Sequence, residues 1–127
     1  MLAWGRPLLD DDIPLTDLPA NIRLMGEFTS LDELSLPDAD FFLYTSEWDG
    51  LPIVLIDIGA RRVSVVSAIA GGTGELVSDD TAWPVAEPTN PEAYVTAIRA
   101  ALAQSDEAAR RAARLRTKVA HLCNETA

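Results

Sequence analysis

Two aspartates, Asp49 and Asp57, stand eight positions apart in the stretch YTSEWDGLPIVLIDIGA, residues 44–60. Between them lie Gly50, Leu51 and Pro52, then an apolar run that opens at Ile53. The chemistry this spacing implies is anion binding. A helix that starts just after a strand aims free backbone N–H groups and a positive dipole end at the strand's C-terminal edge, a geometry that suits a phosphate. Proline favours such a start, because its missing N–H costs nothing at the first helical position and its φ is already helical. The stretch therefore predicts a strand (FFLYTS), a loop carrying Asp49, and a helix from Pro52 to about Arg61 with Asp57 about one and a half turns in. Two carboxylates would flank the anion.

The elements that must position these residues follow from pattern. Residues 1–20 read as irregular and acidic apart from a short strand in MLAWG, and NIRLMG (21–26) reads as a strand. Ser30 followed by Glu33 is a capping box that starts a short helix over 31–35, closed by Pro37. DFFLYTS (40–46) is apolar on both faces, as a buried parallel strand should be. VSVVS (63–67) is a β-branched strand, and Gly71, Gly72 and Gly74 form a loop before a short helical turn at GELV. TAWPV (81–85) is a further strand. Asn90-Pro91-Glu92 supplies a cap, a first-position proline and a favourable acid for a helix over 91–103. Ser105 caps a last helix over about 106–121, within a C-terminal segment 105–127. Strand and helix alternate with connections too long for hairpins, so the class is α/β with a parallel sheet, and ligands are expected beyond the strands' C-terminal ends.

Composition narrows the partners. The 127 residues are 48% apolar, which fits a folded domain rather than a disordered chain. The net charge of −10 sits entirely in residues 1–60, with twelve acids and two bases, while residues 61–127 carry eight of each. Nucleic acid is a poor partner for the front half. Six of the ten bases, Arg99, Arg110, Arg111, Arg114, Arg116 and Lys118, cluster near the C-terminus and read as a solvated helix face. The single cysteine, Cys123, excludes an internal disulfide and fits a reducing, cytoplasmic setting. No apolar run is long enough to span a bilayer, and no signal peptide is visible.

The order of these pieces resembles the C-terminal, nucleotide-sugar-binding domain of retaining GT-B glycosyltransferases of the group-1, or family-four, type. That family shows S-x-W-E-G-L-P-L-V-L-L-E-A-M-A; here the segment runs Ser46-Glu47-Trp48-Asp49-Gly50-Leu51-Pro52-Ile53-Val54-Leu55-Ile56-Asp57-Ile58-Gly59-Ala60. Its P-V-V-A-S strand and G-G-x-x-E-L-V loop are similar to Ser64-Val65-Val66-Ser67 and Gly71-Gly72-Thr73-Gly74-Glu75-Leu76-Val77. Ala82-Trp83-Pro84-Val85, Asn90-Pro91-Glu92-Ala93-Tyr94 and the upstream Asn21–Gly26 also have counterparts in matching order, so the best-matching core is residues 21–104. The resemblance implies a Rossmann-like parallel sheet with helices on both faces, a partial GT-B C-terminal domain over 1–127. It implies a hexosyl transfer with retention, from a UDP- or GDP-linked sugar as substrate, without a metal or other cofactor. Gly50, Leu51, Pro52 and Ile53 would offer N–H groups to the donor sugar and diphosphate. Asp57 would hold the nucleotide ribose, Asp49 would stand near the donor sugar as the catalytic carboxylate, and Gly71 and Gly72 would line the phosphate side.

Three departures shape the expectation. Both motif glutamates are aspartates, each carboxylate retracted by roughly 1.5 Å. The family's Arg and Lys that neutralise the diphosphate belong to an opening strand and loop with no counterpart here, and the acceptor-binding N-terminal domain has none either. With the common strand order 3-2-1-4-5-6, the absent strand is the central one, which would leave MLAWG and NIRLMG separated from DFFLYTS by an empty position. The expected reading is a glycosyltransferase fragment, inactive alone, whose partner is the missing domain or another chain. A non-catalytic nucleotide-sugar-binding or assembly module is the alternative.

Other candidates have plainer readings. Asp10-Asp11-Asp12 reads as a solvated turn without a distant ligand to complete a metal site. The Gly71–Gly74 run lacks the Lys-Ser/Thr of a P-loop. Glu75 would either reach the site rim or cap its own short helix. Trp4, Trp48 and Trp83 would stack on a sugar or base, or more commonly fill space between sheet and helices. His121 and Cys123 have no evident catalytic partner.

Overall fold

The computed structural model describes residues 1–4, 19–26, 29–34, 40–45 and 53–125. They fall into two compact units, Met1–Leu36 and Pro37–Ala127. Asp10–Asp12, Pro37, Trp48, Asp49, Gly50, Leu51 and Pro52 lie outside the described residues.

In the first unit, β1 (Leu2–Trp4) and β2 (Arg23–Gly26) pair in parallel, Leu2 opposite Arg23 and Ala3 opposite Leu24. The register slips once, so that Trp4 meets Gly26, whose φ of +83° is readily available only to glycine. The Met1 ammonium donates to the Asn21 carbonyl, and the Arg23 N–H donates to the Met1 carbonyl at 2.9 Å. The capping box forms as expected. Ser30 Oγ accepts from the Asp32 N–H at 3.2 Å, and Glu33 Oε2 accepts from the N–H groups of Thr29 (2.7 Å) and Ser30 (3.2 Å). Those N–H groups, Thr29 first, hold the Glu33 carboxyl below its ordinary value. The element they start is shorter than the expected 31–35 helix: a single 3-10 turn, Leu31–Glu33.

The second unit carries a three-stranded parallel sheet, β3 (Phe42–Tyr44), β4 (Val65–Ala68) and β5 (Trp83–Val85), in that spatial order. Phe42 lies opposite Val65 and Val66 opposite Trp83. Among the described residues, no strand joins this sheet to the β1–β2 pair. Every residue of β4 is buried, so both faces of the sheet are covered, as a doubly wound parallel sheet requires. The expectation that DFFLYTS is buried on both faces needs correcting, because Phe41 to Tyr44 are only half-buried. Among the described strands β3 is an edge, so its side chains have a packed neighbour strand on one side only.

Among the described residues the unit also has three α-helices: α1 (Ile53–Ala60), α2 (Pro91–Ala103) and α3 (Ser105–Glu125). The start of α2 follows its sequence signature, Asn90 Oδ1 accepting from the Glu92 N–H at 3.1 Å with Pro91 as the first helical residue. Ala97, Ile98 and Ala101 of α2 and Ala108 of α3 pack on Val66, Trp83 and Val85. Trp83 is a packing residue, 5% exposed, with the Arg111 guanidinium 3.9 Å above its ring centroid. Arg111 also donates to the Ala82 carbonyl at 2.9 Å, and Arg111 and Arg110 donate to Glu107 at 3.1 and 3.0 Å. The pair, Arg111 foremost, keeps the Glu107 carboxyl below its usual value. The C-terminal bases are thus not one uniformly solvated face.

Gly59 lets α1 approach α3 closely. A Cβ there would stand 2.9 Å from Val119 Cγ2 and 3.1 Å from Leu115 Cγ. Gly59→Ala gains about 1 kcal/mol of helix propensity, but overpacking costs about 2 kcal/mol, for a net loss of about 1 kcal/mol. Urea unfolding checks this; a midpoint at or above that of the parent chain would show that the interface yields freely.

Candidate functional site

The three parallel strands end at Tyr44, Ala68 and Val85. In open α/β sheets, ligands bind beyond those ends. α1 follows β3 and the Gly71–Glu75 turn follows β4, the two strands being neighbours in register. The start of α1 and the start of the glycine turn therefore belong to one end of the sheet.

On α1, residues Leu55, Ile58 and Gly59 are buried, while Ile53, Asp57 and Ala60 share the exposed stripe. Asp57 is the fifth helical residue, just over one turn in, and its carboxylate is open to solvent. Ile53 is 74% exposed at the first position. The N–H groups of that first turn have no partner within the helix. Of the sequence-predicted site residues, Ile53 opens the helix that follows β3, Asp57 lies on its exposed stripe, and Gly71 and Gly72 begin the turn that follows β4. Asp49, Gly50, Leu51 and Pro52 fall outside the described residues.

The glycine loop is more ordered than its composition suggests. It is a 3-10 turn over Gly71–Glu75, and it starts earlier than the expected GELV turn. Gly71 takes φ +58°, the left-handed region, at the point where the chain leaves the sheet. The residue that holds the turn is Thr73, fully buried. Its Oγ1 accepts from the Ala70 N–H at 2.8 Å and lies 2.9 and 3.2 Å from the carbonyls of Ala70 and Ala68, to which its proton is donated. The Thr73 carbonyl then accepts from the N–H groups of Leu76 (3.0 Å) and Val77 (2.9 Å). Glu75, expected at the rim or as a cap, closes the turn instead of opening it and is exposed. Sequence reasoning passed over Thr73. The available signal was a hydroxyl residue three positions after Ala70, which precedes the turn, the spacing at which a side-chain oxygen reaches back to a free N–H.

A second hydroxyl repeats the device. Thr81 Oγ1 donates to the Leu76 carbonyl at 2.6 Å and accepts from the Ser78 N–H at 3.1 Å, tying the exit of the turn to β5. Among the described residues, no group of three or more His, Cys, Asp or Glu could hold a metal ion, and no helix is long and apolar enough to cross a membrane.

These features have relatives. The fold is similar to sucrose-phosphate synthase from Thermosynechococcus elongatus, with a TM-score of 0.71 at 21% identity over 80% of this chain and 26% of that one. It is also similar to a glycosyltransferase from Rickettsia africae ESF-5, with a TM-score of 0.66 at 20% identity over 80% of this chain and 27% of that one. The chain thus spans about a quarter of the length of these structures, and at this identity the likeness establishes the fold, that of a partial GT-B domain. No curated protein matches the chain. The sequence model of the family described as glycosyl transferases group 1 matches residues 11–118, most of the chain, and the protein accordingly belongs to that family.

Proposed function

We propose that this chain binds the nucleoside-diphosphate-sugar donor of a retaining hexosyl transfer, as the donor-side wall of a larger glycosyltransferase in the cytoplasm. The observation that carries the reading is the shared sheet end: the first turn of α1, with Asp57 on its open stripe, and the Thr73-anchored turn of Gly71 and Gly72. Two backbone N-termini at one edge suit a diphosphate, and a carboxylate beside them suits a ribose diol. In that role Gly50 to Ile53 donate N–H groups to the donor sugar and diphosphate, and Asp49 stands near the sugar. Catalysis then consists of stabilising the leaving diphosphate by backbone donors and helix dipole. Neither a metal nor another cofactor enters this reading; the donor, UDP- or GDP-linked, is a substrate.

Calorimetric titration with UDP and GDP tests the reading. One of the two binds, and Asp57→Ala weakens it about tenfold, the size of a lost hydrogen bond to a charged acceptor. Absence of binding by either nucleotide would sink the proposal. Incubated with UDP- and GDP-sugars, the chain alone gives no sustained transfer, because the acceptor wall must come from another domain or chain. The aspartates at both motif positions favour a second reading, a module that binds the nucleotide sugar without performing chemistry. Restoring Glu at positions 49 and 57 in a complex with an acceptor domain, and finding no activity, would select it.

A further inference from the structure

Between α3 and the turn that leads from α1 to β4, the chain carries a groove of about 370 Å³ whose lining includes Arg62, Arg116 and His121. Thr117 and Asn124 add a hydroxyl and an amide, and Ala113 forms part of the wall. Among the described residues no carboxylate lines it, although the protein carries a net charge of −10.

Three of the five Lys and Arg residues of α3 share one carboxylate. Arg110 and Arg111 are bound to Glu107 at 3.0 and 3.1 Å, and Arg114 lies 3.6 Å from the same carboxylate. Arg116 has Ala112, Ala113, Val119 and Ala120 one turn to either side, so no carboxylate on its own helix face competes for its guanidinium. Arg62 is distinctive in its backbone. At φ +60° it is the one non-glycine residue with positive φ among the described residues, at a helix exit where glycine is the unstrained choice. Its N–H donates to the Gly59 carbonyl at 3.2 Å, so the turn itself needs no side chain. An arginine at a glycine position, lining a groove together with a second arginine and an imidazole, is an arrangement whose use lies in the side chain.

We propose that this groove is an anion site for a phosphate monoester, with Arg62 and Arg116 as the charged donors and His121 and Asn124 completing the set. Guanidinium forks match phosphate oxygens. The nearby C-termini of α1 and α3 oppose an anion, but each is worth about half a charge and fades within a turn, whereas the two guanidiniums bring full charges. A groove of this volume admits a phosphate with a small attached group. That group is either a phospholipid headgroup or a soluble phosphate ester.

The sole histidine of the chain, His121, is an unambiguous reporter. At fixed pH and ionic strength, inorganic phosphate shifts its ring resonances saturably and chloride does not. Arg116→Ala weakens the apparent affinity about tenfold. Arg62→Gly does the same without loss of thermal stability, because glycine suits that φ. Co-sedimentation with phosphatidic-acid vesicles but not with phosphatidylcholine vesicles, lost in both variants, assigns the phosphate to a lipid headgroup. A saturable phosphate shift without vesicle binding assigns it to a soluble ester. The proposal is overturned by the absence of a saturable response to phosphate and to vesicles alike, or by a response that survives in both variants.

Discussion

Leu115→Ala lowers the stability of the Pro37–Ala127 unit by about 3 kcal/mol, the largest effect expected of any single truncation on α3. Leu115 is 1% exposed and meets α1 where Gly59 has removed its own side chain. Its Cγ and Cδ2 lie 3.1 and 3.4 Å from the position a Gly59 Cβ would take. A glycine on one helix fitted against a leucine on the other is a contact that cannot collapse. Removing the leucine leaves a void that the glycine cannot fill, and the rigid α1 backbone has no side chain to swing into it. In a unit of about 90 residues, this shifts the thermal midpoint down by about 15 °C. The control is Leu102→Ala, whose side chain is 54% exposed and whose truncation costs under about 0.5 kcal/mol. If the two variants unfolded at the same midpoint, the α1–α3 contact would not hold this unit together.

Thr73→Val costs about 2 kcal/mol and loosens the glycine turn. Valine fills nearly the same volume, so the loss isolates the hydroxyl. Without it, the Ala70 N–H loses its acceptor and the Ala68 and Ala70 carbonyls lose a donor, while the added methyl is pressed against both carbonyls. An unsatisfied buried polar group costs about 1–3 kcal/mol; the Ala70 N–H is the group stranded, while the Ala68 carbonyl keeps the Ser67 hydroxyl and the Ala70 carbonyl keeps the residue-73 N–H. Thr73→Ser restores the bonds and gives up one methyl, about 0.8 kcal/mol. Denaturant unfolding orders the three chains as parent, then Ser, then Val. Nucleotide titration adds a readout from the site itself. If Gly71 and Gly72 face the diphosphate, Val weakens binding and Ser does not. Equal stabilities for Ser and Val would show that the hydroxyl is not what holds the turn.

The two largest effects fall on residues that the motif comparison passed over. Asp49 and Asp57 attract attention because they are charged and regularly spaced, yet the carboxylate seen here, on Asp57, is held by nothing among the described residues except its place on a helix. That place is owed to Leu55 and Ile58 on the buried stripe and to the glycine beside them. Likewise, Gly71 and Gly72 matter only if the turn that carries them is fixed, and a threonine fixes it. Neither Gly59 nor Thr73 stands out by type, because a glycine in a helix and a threonine in a loop are each compatible with many roles.

By itself, the sequence determined several local starts and the family. Asn90-Pro91-Glu92 began a helix at Pro91, Ser30 and Glu33 formed their capping box, and the alternation of apolar strands with capped helices set a parallel α/β order. Interactions of this kind span at most four residues, so the types present and their spacing are sufficient to specify them. Contacts between residues far apart in the chain were decided by the tertiary structure alone. It made β3 an edge among the described strands, half-buried where its composition suggested full burial. It placed Gly59 against Leu115 and Val119, and it laid Arg111 over Trp83. It also gathered Arg62, Arg116 and His121 into one groove from positions more than fifty residues apart. The reason is physical: burial and charge pairing depend on which surfaces meet, and a pattern along one strand or helix records only that a surface is apolar or charged, not which other surface covers it.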